Sequence, residues 1–258
     1  MSMPQTDPTY NQTRQAWRDI WSSTEFDREL KALNYERGQE VIKYYLPYLN
    51  RDLPVLEAGC GPGHVVYYLQ ERGYKVFGLD YAPEALQSTV SRFPSLPLQL
   101  GDVHYLPYKA NTFGAYLSFG VVEHFVQGPL PTLREAYRVL RPSGVLVLTV
   151  PHPQLVESLY QLSKRVFRTH YEKLGARAVY YERTYPHLEL ISCVREAGFT
   201  IDLVRPISHS YTFYGLHPVF RRAGGYYETS GLGNLVGRVS RTLLPWPTAF
   251  HSLIIARK

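Results

Sequence analysis

The chain has 258 residues, 45% of them hydrophobic and 19% charged, and a net charge of +6, which suits one large α/β domain with insertions or two small domains. Only two cysteines, Cys60 and Cys193, are present, far apart and without CxxC spacing, so neither a disulfide framework nor a cysteine zinc site is suggested and a reducing cytoplasm fits. The N-terminus is polar, and no stretch of 18 apolar residues runs without a charge, so neither a signal peptide nor a membrane span is expected and the protein should be soluble. The positive charge is uneven: residues 1–151 hold 14 Lys/Arg against 15 Asp/Glu, residues 152–258 hold 14 against 7. Such asymmetry suits an anionic substrate, a nucleic acid or an acidic membrane surface; a solvated basic face with no partner accounts for it equally well.

In chain order, residues 14–48 read as one or two helices, with Trp17, Ile20 and Trp21 spaced for one face and Val41, Ile42, Tyr45 and Leu46 for another. From residue 54 the pattern alternates. "PVLEAG" is a strand, "HVVYYLQERG" a helix closed by Gly73, "KVFGLD" a strand, and "APEALQSTVSRF" a helix with Pro83 in its first turn. "LPLQLGD" and "AYLSFG" read as strands, "LPTLREAYRVLRPSG" as a helix ending at a Pro-Ser-Gly turn, and "GVLVLTVP" as a buried strand. This alternation predicts a parallel, doubly wound sheet. Beyond Pro151 come an amphipathic helix "QLVESLYQLSKRVF", the helix "HLELISCVREAG", the strand "FTIDLVRP" and a final strand "HSLIIARK". The residues between the last two strands are too many for a hairpin and predict a lid or docking surface. The organisation expected is an N-terminal helical cap over 1–50 and a domain over 51–258 with inserts at 152–186 and 206–250.

Directly after the first strand stands "GCGPGH", with Gly59, Gly61 and Gly63 at alternating positions. A bare turn there lets a ligand approach the backbone, beside free N–H groups at a helix start. A GxGxxG dinucleotide fingerprint would need glycine where His64 stands, and no GK[ST] phosphate cradle follows. Glu57, beside the loop, would repel a pyrophosphate but favour an ammonium or sulfonium. Asp80 ends the second strand, 21 residues after Gly59, where a carboxylate can accept both hydroxyls of a ribose. Asp102 follows the third strand and is placed to accept from an adenine amino group.

These segments resemble the class I S-adenosylmethionine-dependent methyltransferases, and within them the ubiquinone/menaquinone-biosynthesis-like small-molecule branch. "VLEAGCGPGH" is similar to the family's first motif, "VFGLDYAPEAL" to its ribose segment, "LQLGDVHYLPY" to its adenine segment, "LSFGVVEHF" to the strand-four segment and "LREAYRVLRPSGVLVLTVP" to the fifth-strand block. The resemblance covers residues 50–151 and implies a Rossmann-like seven-stranded sheet, completed by 187–205 and the last strand, with S-adenosylmethionine as cofactor. It implies that Glu57, Gly59, Cys60, Gly61 and Gly63 surround the cofactor's methionine end, that Asp80 holds its ribose, that Asp102 and Val103 hold its adenine under Tyr81, and that Phe119 and Gly120 line the methionine side. One departure is Gly114, where the family often has Asp after the Phe that opens strand four.

Plainer readings stand beside these. The glycines also suit a structural turn, Asp80 and Asp102 also suit helix N-caps, and Cys60 suits a small buried filler. His124 suits a general base near the acceptor, a metal ligand with Glu123, or a packed histidine capping a short helix; no metal site is assigned. His152, just past strand five, is a second candidate for a catalytic or substrate role. Trp17 and Trp21 suit either a cap over the cofactor or ordinary helix packing, and the 22 tyrosines suit aromatic walls or packing. The expected reaction is methyl transfer to a small-molecule or lipid-like acceptor, chosen by the inserts. Residues 206–250 set Arg221, Arg222, Arg238 and Arg241 against Glu228 alone, pointing to an anionic or lipid-like substrate and peripheral membrane contact. A nucleic-acid substrate is disfavoured because "SFGVVEHF" replaces the Asn/Asp-Pro-Pro-aromatic motif and neither cysteine follows a proline. An RNA or protein methyltransferase and a non-catalytic cofactor-binding protein remain the alternatives.

Overall fold

The computed structural model describes residues 8–155 and 182–258, so most of the amphipathic helix expected after Pro151 lies outside the described residues. The N-terminal region holds three helices rather than one or two: α1 (Pro8–Ser22), α2 (Phe26–Ala32) and α3 (Glu36–Tyr45), followed by a 3-10 turn at Leu46–Tyr48. The first break comes where the hydroxyls of Ser23 and Thr24 donate back to the Ile20 carbonyl at 3.0 and 2.8 Å, competing with helix continuation. The second lies at Leu33–Tyr35, whose amides bond to carbonyls three residues back.

Seven strands follow: β1 (Val55–Ala58), β2 (Val76–Asp80), β3 (Leu98–Leu100), β4 (Phe113–Phe119), β5 (Leu140–Pro151), β6 (Thr200–Ile207) and β7 (His251–Arg257). They form one sheet in the order β3-β2-β1-β4-β5-β7-β6. The expected doubly wound sheet is present, but it is mixed: β7 runs antiparallel to both β5 and β6. The chain leaving β6 stays on the carboxyl edge and enters β7 from that side, so His251 pairs with both Ile207 and Pro151. Residues 208–250 therefore lie at the edge where the parallel strands end. They fold into α8 (His209–Leu216), a 3-10 turn at Pro218–Phe220 and α9 (Gly231–Leu243).

The central strands are buried on both faces, as their continuous apolar runs require. On one face Leu56, Leu79, Leu146 and Leu148 pack with Leu133 and Ala136 of α6 (Leu130–Val139) and Leu190 and Val194 of α7 (His187–Glu196). On the other, Val55, Leu117, Val147 and Ile255 pack with Ile42 and Tyr45 of α3 and Val66 and Leu69 of α4 (His64–Gln70). The helix α5 (Pro83–Arg92) completes the β2–β3 crossover. Each such aliphatic side chain contributes about 1.5–3 kcal/mol of burial.

Two local differences from the sequence reading have physical causes. The helix before β5 ends at Val139, not at the Pro-Ser-Gly turn: Leu140 already pairs with Phe113, and the register shifts before the next pair, Ala115 with Val145, an interval in which Ser143 has φ 63°. Gly114 is explained by Leu53, because a Cβ at 114 would lie 2.5 Å from the Leu53 Cβ.

Candidate active site

A cavity of about 500 Å³ opens at the carboxyl ends of β1, β2, β4 and β5, spanning the point between β1 and β4 from which the strand order runs in opposite directions. Ten of the eleven residues expected to hold the cofactor line it: Glu57, Gly59, Cys60, Gly61, Asp80, Tyr81, Asp102, Val103, Phe119 and Gly120. Gly63 does not. It is the N-cap of α4 at φ 76°, and a Cβ there would meet Leu98 at 2.8 Å, so its bareness serves helix–strand packing. Gly59 and Gly61 also have positive φ, 78° and 52°; a Cβ on the first would strike Val121 at 2.5 Å and on the second the Trp21 ring at 2.8 Å.

The acidic groups divide into used and unused oxygens. Asp80 accepts from the Gly61 amide at 2.8 Å and from the Ala82 amide at 2.9 Å; burial raises its carboxyl and these amides pull it back. It is therefore no N-cap, since Ala82 holds that place in α5. Asp102 accepts from the His104 amide at 2.8 Å, and His104 Nδ1 lies 2.7 Å from the same oxygen, an Asx-type turn. Glu57 is 3% exposed, and its Oε2 has no hydrogen-bond partner. Burial first, then Asp80, holds its carboxyl well above the usual range, while the Val66 amide at the start of α4 opposes this. Cys60 is buried and its thiol is pushed well up by burial and by Asp80 and Glu57, the behaviour of a filler rather than a nucleophile.

His124 lines the same cavity, and its ring meets Trp17 edge-on at 5.0 Å. Its Nε2 lies 4.0 Å from Glu123 Oε1, and among the described residues no third His, Cys, Asp or Glu joins them in a metal-binding group. Glu123 is 2% exposed with Oε2 unpartnered, and burial lifts its carboxyl to about 8. His152 is placed elsewhere. It is buried outside the cavity lining, with Nδ1 3.1 Å from the Ser252 hydroxyl and its ring against His187 and Trp246.

Several lining residues escaped the sequence reading. Thr13 and Arg14 come from α1 beside Trp17 and Trp21, whose rings stack at 5.5 Å, so α1 forms a wall of the cavity. Arg37 of α3 reaches in with its guanidinium 4.3 Å from the Tyr211 ring centroid, joined by His64, Phe250 and His251. His251 is neutral, since burial and the Arg37 charge hold it at about 3. Burial likewise lowers His64, whose Nδ1 is unpartnered. The aromatic and basic bias of the 206–250 segment was a visible signal for Tyr211 and Phe250; Arg37 and His64 carried none.

Residues 56–148 match the model of the family described as Methyltransferase domain. A Mycolicibacterium smegmatis protein named "Probable S-adenosylmethionine-dependent methyltransferase" is 30% identical over 116 residues, 45% of this chain and 45% of its own length. The malonyl-[acyl-carrier protein] O-methyltransferase of Salmonella typhimurium is 38% identical over 96 residues, 37% of this chain and 38% of its own. The chain thus spans about half or less of the length of these curated relatives. Among solved structures, Burkholderia thailandensis 1,6-didemethyltoxoflavin-N1-methyltransferase, with 1,6-didemethyltoxoflavin and S-adenosylhomocysteine bound, superposes with a TM-score of 0.59 at 18% identity, covering 100% of this chain and 93% of that one. Residues 56–148 thus match a methyltransferase domain, and the fold that carries them is a Rossmann-like seven-stranded sheet with helices on both faces.

Proposed function

We propose that this chain, with a methyltransferase domain at residues 56–148, transfers the methyl group of S-adenosylmethionine to a small or amphiphilic acceptor. The observation that carries this reading is Glu57: a buried carboxylate with one oxygen unpartnered, in the cavity wall beside a glycine loop, is matched by a cationic amino-acid end and mismatched by a pyrophosphate. When bound, the cofactor supplies a methyl group on a sulfonium that leaves without acid assistance.

The chain's own residues then bind, orient and exclude water. Glu57 holds the ammonium and Arg37 offers the counter-charge for the carboxylate beside it. Asp80, already fixed by two amides, presents its remaining lone pairs to the ribose hydroxyls, and Asp102 does so for the adenine. Trp17 and Trp21 cover the cavity, and their faces favour a cation. His124, next to Trp17, takes the proton of a hydroxyl acceptor; an acceptor with its own reactive electron pair needs no such base. Within the family we place the chain in the small-molecule branch, its acceptor anionic or lipid-like and met at a membrane surface. The malonyl-[acyl-carrier protein] relative matches over too short a segment to name the acceptor.

Calorimetric titration of S-adenosylhomocysteine tests the reading, with NAD and the Asp80→Ala protein as controls. Micromolar binding that the substitution removes and NAD does not reproduce supports it. No binding to the wild type would overturn it. Turnover of the cofactor over a panel of hydroxyl, amine and carboxylate amphiphiles then separates an enzyme from a non-catalytic binder.

A further inference from the structure

Helix α9 packs the opposite way from an ordinary surface helix. Its inward side is glycine: Gly233 and Gly237 are buried, a Cβ on Gly237 would lie 2.6 Å from the Ser210 amide nitrogen, and one on Gly233 would lie 2.8 Å from the Phe220 carbonyl oxygen. Backbone is thereby seated directly on α8 and the Pro218–Phe220 turn. The large apolar side chains point outward. Leu232, Leu235, Val239 and Leu243 recur at helical spacing on one face and are between 46% and 70% exposed. Glycine in a helix interior is destabilising, by about 1 kcal/mol relative to alanine. Here it brings the helix close to α8 while leaving its leucines unused by the core.

The helix itself carries charge of one sign. No Asp or Glu occurs within Gly231–Leu243, whereas Arg238 and Arg241 do. Arg241 pairs with Glu40 at 3.0 Å on the inner side, and Arg238 stands exposed at the edge of the apolar stripe. We infer that the outer face of α9 docks on an anionic phospholipid surface, the helix lying in the interface plane with its leucines among the acyl chains and Arg238 among the headgroups. A second copy of this chain fits less well. The stripe is small against the roughly 20–30 residues a side of a stable protein interface. The consequence for the site is direct: α9 rests on α8, and α8 supplies Tyr211 to the cavity wall. Docking there brings the cavity to the membrane, where an amphiphilic acceptor is found. The inference extends the proposed acceptor class and rests on that reading only for its purpose, not for the surface itself.

Sedimentation of the full chain with vesicles tests it. Vesicles of equimolar phosphatidylcholine and phosphatidylglycerol should carry the protein down, and vesicles of phosphatidylcholine alone should not. Arg238→Gln should weaken the association about fivefold. The pair Leu235→Gln with Val239→Gln should weaken it by about tenfold or more. Titration with S-adenosylhomocysteine should be unchanged in both proteins, which also reports an intact fold. Equal sedimentation on both kinds of vesicle, or binding indifferent to the Leu235 and Val239 changes, would overturn the inference, as would a solution dimer that those changes dissolve. Vesicle binding without S-adenosylhomocysteine binding would remove the cofactor reading and leave the surface standing.

Discussion

The carboxylate of Asp80, at the end of β2, accepts a hydrogen bond from the amide of Gly61, in the loop after β1, at 2.8 Å. Its other oxygen accepts from Ala82 at 2.9 Å, so one side chain ties the glycine loop to the start of α5 before any ligand arrives. Asp80→Ala should therefore act twice: unfolding in urea should show a loss of about 1–3 kcal/mol from two unsatisfied buried amides, and S-adenosylhomocysteine affinity should fall by more than that loss alone explains. Unchanged stability would show that the loop holds itself.

Burial holds the carboxyls of Glu57 and Glu123 above their ordinary range, Glu123 at about 8. Each folded carboxyl keeps a proton that the unfolded chain has already released, so stability must fall as pH rises from the ordinary value of 4.5 towards 8. Melting curves of ligand-free protein should shift downward across that interval, and Glu123→Gln should flatten the decline. Pairing with an ammonium requires Glu57 to give its proton up. Affinity for S-adenosylhomocysteine should thus rise with pH, and Glu57→Gln should be both weaker and flatter.

Gly61 and Gly63 are two residues apart and should answer differently to alanine. Gly61→Ala meets the Trp21 ring inside the cavity and should abolish ligand binding. Gly63→Ala meets Leu98 outside it and should lower stability by about 1–2 kcal/mol from its left-handed backbone, with affinity reduced far less. Calorimetry and urea unfolding on the two proteins make the comparison.

Trp17 and Trp21 line the cavity, whereas Trp246 stacks on His187 with ring centroids 3.8 Å apart, away from it. A bound nucleoside should quench tryptophan fluorescence, and the quench should survive Trp246→Phe but shrink in Trp17→Phe. An identical response from both would place the ligand elsewhere.

His124→Asn should lower kcat for a hydroxyl acceptor by about 10²–10⁴-fold with little change in cofactor affinity. His152→Asn should leave kcat near the wild-type value and show its effect in thermal stability, because its contacts are Ser252, His187 and Trp246. A drop in kcat with His152 rather than His124 would reverse these roles.

The strand–helix alternation and the acidic residues at strand ends were legible in the sequence because each rests on short-range pattern: Glu57, Asp80 and Asp102 all stand where a parallel strand meets its loop. The other wall was not. His251 begins its strand, and a strand's first residue faces the cavity only because β7 runs against its neighbours, which no local pattern records. Arg37 comes from a helix far from the glycine loop and enters by tertiary packing alone. His152 misled for a related reason: it follows β5 at the correct edge, but β7 lies alongside and Ser252 takes its Nδ1. Gly63 misled because a glycine that admits a ligand and a glycine that admits Leu98 look the same in sequence.

The place of β7 also sets an order of assembly. Strands β3, β2, β1, β4 and β5 are joined by ladders within residues 55–151, whereas β6 touches the sheet only through β7 and has no neighbour until residues 251–257 are in place. Contacts of greater sequence separation are slower to form. The half that carries the glycine loop, Glu57, Asp80 and Asp102 can therefore condense first, while Tyr211, Phe250 and His251 are installed by the closing strand. The wall made by Tyr211, Phe250 and His251 therefore stands only where residues 251–257 are paired with β5 and β6.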